Sequence, residues 1–138
     1  MSRENVEAVR RIADAWHRGD LDMAYDLYDP EIEWDSTRME ALIPDLGGTF
    51  HGHEGVRAFW RRWLSAWKDL RFEVQDVVDA GDHVVVLVRN QRQWGHRSGI
   101  ETEVPPYAHV FTFRNGKIVR WRGYPDQRTA LEAVGLRG

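Results

Sequence analysis

Between Trp67 and Leu70 the apolar residues change from a helical spacing to a spacing of two, and that switch constrains the fold more than any other feature. Upstream, Val56, Phe59, Trp60, Trp63, Leu64 and Trp67 recur at the intervals of one broad helical face. Downstream, alternation predicts strands from Leu70 to about Asp79, from His83 to about Trp94, from the Ser98-Gly99 turn to about Phe113, and from Lys117 to Tyr124. Ala80-Gly81-Asp82 and Asn115-Gly116 supply the turns, the second being a strong hairpin signal. Pro105-Pro106 interrupts the third strand, because proline cannot donate to a ladder, and marks a bulge or an edge. The result is an antiparallel meander behind a helix.

The N-terminal part predicts two more helices. Val6, Val9, Ile12, Ala13 and Trp16 share a face of the first, which Ser2 caps and Gly19 ends. Asp20 caps a second, short one carrying Leu21, Ala24, Tyr25 and Tyr28, stopped by Asp29-Pro30. The stretch EIEWDS, Glu31 to Ser36, then alternates as a short strand, and residues 37–52 read as an irregular loop rich in glycine. Asp126 can cap a short final helix containing Leu131 and Val134. Helices grouped beside an antiparallel sheet make an α+β domain. The 138 residues fit one such domain spanning 1–138.

Composition excludes several functions. The formal net charge of -3 and the dispersed basic residues argue against nucleic acid as a partner. Without cysteine there is no disulfide, thiolate metal site or cysteine nucleophile. The charged start MSRENVEAVRR does not read as a secretory signal, and no apolar run is long enough for a membrane helix, so a cytoplasmic protein is expected. His51, His53 and Glu54 fall in a turn entering a helix and make no convincing metal set, so neither metal nor cofactor is expected.

The segments HRGDLDMAYDLYDPEIEW, FHGHEGVRAFWRRW and AHVFTFRNGKIVRWRGYPDQRTALEAVGL carry a resemblance over nearly the whole chain. They resemble the nuclear transport factor 2-like superfamily and its SnoaL-like branch, which is similar to ketosteroid isomerase and limonene epoxide hydrolase. The resemblance implies a cone-shaped, curved antiparallel sheet wrapped over three N-terminal helices, commonly as a homodimer. It implies function only loosely, since the same scaffold hosts isomerases, cyclases, hydrolases, dehydratases and non-catalytic proteins.

Each catalytic pattern of these relatives can be laid on the chain. The isomerase base falls at Ser36, its oxyanion tyrosine at Ile12 and its protonated aspartate at His109, so that chemistry lacks its groups. The hydrolase triad falls at Arg89, Gln91 and Asp126, and Gln91 can be neither acid nor base. The polyketide cyclases fit best, with His109 and Asp126 as counterparts of their histidine and aspartate.

On this basis the candidate catalytic residues are His109, Asp126 and Arg89. His109 alternates with Tyr107, Phe111 and Phe113, and is either a proton-transfer group or a satisfied buried histidine. Asp126 either orients it or caps a helix. Arg89 and Gln91 share the parity of Val85 and Leu87, and either face the cone as oxyanion donors or face outward. Trp16, Trp34, Ser36, Phe59, Trp63, Gln91, Phe111 and Tyr124 complete the expected ligand wall. Of the EIEWDS residues, Trp34 and Ser36 take the pocket side, and Glu31, Glu33 and Asp35 the outer face. The expected function is that of a small-molecule pocket protein for a hydrophobic or carbonyl-containing compound. It is either a cofactor-independent isomerase or cyclase, or a non-catalytic binding or dimeric interaction domain.

Overall fold

The computed structural model describes residues 2–136. Helix α1 (Ser2–His17) precedes β1 (Tyr28–Asp35), a 3₁₀ turn (Thr37–Ala41), β2 (Thr49–His51) and helix α2 (Gly52–Ala66). Strands β3 (Trp67–Ala80), β4 (His83–Gly95), β5 (Glu101–Val104), β6 (Tyr107–Arg114) and β7 (Lys117–Tyr124) follow, and helix α3 (Gln127–Ala133) closes the chain. The helical spacing gives way to β3 at Trp67, and the Asn115-Gly116 turn takes positive φ at both residues, as its sequence requires.

One curved, unclosed sheet of seven strands runs in the order β2-β1-β7-β6-β4-β3, with β5 paired to β4. It is mixed, not wholly antiparallel: β1 runs parallel to β7, with Trp34 beside Trp121. The segment across Pro105-Pro106 continues along one partner, because β5 and β6 both pair with β4. The expected short helix over residues 20–28 does not form. That segment runs as turns with Ala24 at φ +70°, and Tyr28 is drawn into β1 opposite Ile118. Three α-helices remain among the described residues, one of them after the last strand.

Each face of the sheet buries its own cluster. The inner face carries Ile32, Trp34, Val84, Val86, Val88, Phe111 and Trp121 against Ile12 and Trp16 of α1 and Phe59, Trp60 and Trp63 of α2. The outer face carries Val85, Leu87, Ala108, Val110 and Tyr124, and α3 covers it with Ala130. Burying one such large apolar side chain is worth about 1.5–3 kcal/mol, so the inner cluster fixes where the helices sit.

A bulge in β4 decides which residues reach the inner face. Glu73 stands opposite Arg89 and Arg71 opposite Arg92, so β4 spends one extra residue over this interval. Asn90 takes up the excess at φ +53°, a conformation asparagine tolerates better than most residues. Beyond it the strand's faces exchange. Arg89 stays outside with Val85 and Leu87, while Gln91 and Gln93 are buried at 4% and 0% exposure.

Candidate functional site

Between the inner face of the sheet and the helices lies a cavity of about 50 Å³. Ordinary ligand clefts run to roughly 300–1,000 Å³, so this one is narrow. Its walls are Trp16 of α1, Phe59, Trp60 and Trp63 of α2, Leu70 and Phe72 of β3, Trp121 of β7, and Met39, Ile43 and Leu46 from the segment after β1. Three polar side chains complete it: Gln91, Tyr107 and His109. None of these lining residues carries a carboxylate, an ammonium or a guanidinium.

His109 is held by its neighbour strand. The indole Nε1 of Trp121 donates to His109 Nδ1 at 3.0 Å, which makes Nδ1 an acceptor and puts the ring proton on Nε2. Burial alone pushes the His109 pKa down to about 3, because the cavity offers nothing to solvate an imidazolium. The ring is a neutral hydrogen-bond donor on the cavity wall, stacked edgewise on Trp16 with centroids 5.1 Å apart.

Tyr107 sits two residues before it on the same face. Its hydroxyl donates to Gln91 Oε1 at 2.5 Å, and Gln91 Nε2 donates to Gln93 Oε1 at 3.0 Å. Burial raises the Tyr107 pKa, so the phenol stays protonated. The chain of bonds ends on a buried Gln93 Nε2 that has no partner among the described residues. Trp60 Nε1, on a wall residue, is likewise buried without one. Buried N–H groups of this kind cost free energy unless an acceptor meets them.

Five of the expected residues meet here: Trp16, Phe59, Trp63, Gln91 and His109. The others lie elsewhere. Trp34, fully buried, backs the cavity by stacking on Trp121 at 4.5 Å and 18°. Phe111 lies behind Trp16 and His109, at 6.1 and 6.2 Å between centroids. Ser36 Oγ donates to Leu46 O at 2.6 Å and Gly48 O at 3.2 Å, tying down the loop whose Ile43 and Leu46 wall the cavity. Tyr124 packs in the outer cluster, with the Arg38 guanidinium 5.2 Å from its ring centre. Arg89 points away from the cavity and pairs with Glu73 at 3.2 Å. Asp126 caps α3, accepting from the backbone of Arg128 at 2.8 Å and of Thr129 at 3.4 Å.

The acids of EIEWDS also take structural partners. Glu33 meets Arg120 at 3.4 Å. Asp35 is 8% exposed, between Arg38 at 3.2 Å and Arg122 at 3.5 Å. Burial works to raise its pKa, but hydrogen bonds from Thr37 and the nearby Arg38 outweigh that and hold it below the usual range. His53 contacts Tyr28 O at 3.0 Å, and no group of three metal-ligating side chains assembles among the described residues.

Sequence reasoning left out Tyr107, Trp60, Trp121, Leu70 and Phe72 as wall residues. Tyr107 had a usable signal, its shared parity with His109. Met39, Ile43 and Leu46 had none, since an irregular loop carries no period.

A family model for the SnoaL-like domain matches residues 9–121. No curated protein matches the chain. Among solved structures, an NTF2-like protein of unknown function from Burkholderia pseudomallei superposes with a TM-score of 0.76 at 26% identity, covering 96% of this chain and 98% of its own. A protein from Catenulispora acidiphila with a ketosteroid isomerase-like fold, in complex with trimethylamine, gives 0.66 at 20% identity, covering 94% and 93%. A protein classed with the SnoaL-like polyketide cyclases from a Jannaschia species gives 0.69 at 22%, covering 88% and 85%. At the last two identities the likeness speaks to the fold.

Proposed function

The chain belongs to the SnoaL-like domain family, and from that premise we propose that it binds a small, uncharged, apolar molecule through a carbonyl-type acceptor. The observation that carries this reading is the neutral His109, its Nδ1 committed to Trp121, on a wall that is otherwise aromatic and aliphatic. A ligand oxygen accepting from Nε2–H would gain a hydrogen bond in a dry site, where such bonds are strongest. The unpartnered Trp60 N–H favours the same kind of ligand.

Proton abstraction beside a carbonyl asks for a base whose pKa lies near the working pH. His109 is too weak a base for that, and Asp126, its expected partner, is engaged in capping α3. These two facts favour binding over isomerase or cyclase chemistry. The family resemblance also supports a homodimer, which light scattering would read as twice 16.1 kDa.

Calorimetric titration with acetophenone and with ethylbenzene, which lacks the oxygen, tests the proposal. The ketone should bind about 2- to 10-fold tighter, and His109→Leu should remove that preference. Equal affinities in the wild type would refute the donor role. Deuterium entering the acetyl methyl group faster than in buffer alone would restore the enzymatic reading.

A further inference from the structure

The cavity's outer walls are shared with two surface grooves. Trp63 and Leu70 also line a groove of about 290 Å³ that contains His17, Arg18, Lys68, Asp69 and Arg71. Phe72 also lines a second groove, of about 420 Å³, with Arg71, Glu73 and Arg92. Arg71 belongs to both. Arg18, Lys68, Arg71 and Arg92 are all exposed, and none forms a salt bridge among the described residues. Glu73, the acid of the second groove, is already taken by Arg89 and Asn90. That leaves Asp69 in the first groove and Glu103, which stands opposite Arg92 on β5, as the acids set against four cations, of which Arg71 also lies over the Trp94 ring at 5.5 Å.

Such a rim stands out on a chain with a net charge of -3. Three of the four cations, Lys68, Arg71 and Arg92, lie on the paired ends of β3 and β4, where Arg71 stands opposite Arg92 and Lys68 opposite Trp94. Arg71 and Arg92, like charges facing each other on neighbouring strands, repel one another, and although Glu103 stands on the other side of Arg92, an arriving anion relieves that repulsion further. The cavity itself offers no charge to such a group and is too narrow for a large molecule, so the remainder of a ligand must lie outside it.

We infer that the basic rim holds an anionic group of the ligand, a carboxylate in the simplest case, while the apolar part carrying the acceptor enters the cavity. This rests on the proposed cavity function and adds the charge class of the ligand: an amphipathic anion, neutral at the buried end and charged at the exposed end. Arg18, Lys68 and Arg71 act here as positioning and specificity residues.

Acetophenone and 4-acetylbenzoate differ only by a carboxylate on the far side of the ring from the acetyl group, and their affinities separate the two ideas. At low salt the wild type should bind 4-acetylbenzoate about 5-fold tighter or more, with the advantage shrinking near molar salt. The exposed triple variant Arg18→Gln, Lys68→Gln, Arg71→Gln should bring the two ligands to parity and leave acetophenone unaffected. Arg3→Gln, Arg10→Gln, Arg114→Gln removes the same charge elsewhere and should keep the preference. Equal affinities in the wild type, or a preference that survives the rim variant, overturn the inference while the cavity reading stands. If neither ligand binds, both fall together.

Discussion

The indole of Trp121 donates to Nδ1 of His109 at 3.0 Å from the adjacent strand, and this contact fixes what the histidine can do. It selects the tautomer with the proton on Nε2 and blocks the nitrogen that an orienting carboxylate would have used.

The first consequence is a pH dependence. His109 titrates near 3 when folded and near 6.5 when not, so its folded pKa is depressed. Unfolding then takes up a proton between those values, and stability from this group is complete above about pH 6.5 and declines as pH falls toward about 3. Between pH 7 and about pH 4.5 the wild type should lose about 2 kcal/mol more than His109→Gln, read from urea unfolding curves. Parallel curves for the two proteins would contradict the burial of a neutral imidazole.

Trp121→Phe removes the donor and leaves Nδ1 buried without a partner. It also loses part of the stack on Trp34. A cost of about 1–3 kcal/mol is expected in chemical denaturation. His109 would be free to place its proton on either nitrogen, so the preference for acetophenone over ethylbenzene should weaken, which a purely structural loss would not cause.

Gly123→Ala tests the closeness of Met39 to the sheet. A Cβ at Gly123 would stand 2.5 Å from Met39 Cγ and 3.0 Å from the Trp121 ring, while Met39 is itself a cavity wall. The methionine must move, at a cost of about 1–3 kcal/mol for overpacking. Weaker acetophenone binding should accompany the lower midpoint in thermal unfolding. A variant with unchanged stability and affinity would show that the Met39 contact is slack.

Asp126→Ala distinguishes a cap from a catalytic partner. Its carboxylate accepts from two backbone N–H groups at the start of α3. Losing the cap should cost about 1 kcal/mol, measured by urea unfolding, and leave cavity affinity as in the wild type. A large change in ligand binding without a stability change would return Asp126 to the site.

Much of this architecture is legible in the residues alone. The helical stripe of α2, the switch to alternation after it (read at Leu70, found at Trp67), the Asn115-Gly116 turn and the Asp126 cap are local, because each depends on the geometry of a few consecutive residues. The alternation of Tyr107, His109, Phe111 and Phe113 likewise places these four on one face of the sheet, and packing makes that the inner face. Tertiary structure decided the rest. The bulge at Asn90 parted Arg89 from Gln91, and its extra residue exists only relative to the facing strand β3. The partner of His109 lies 12 residues away on another strand, and Ser36 spends its hydroxyl on a loop that closes only in the folded chain. Periodicity reports which way a side chain points. What it meets there, and whether it can hold a charge, depends on packing and on the water that packing excludes.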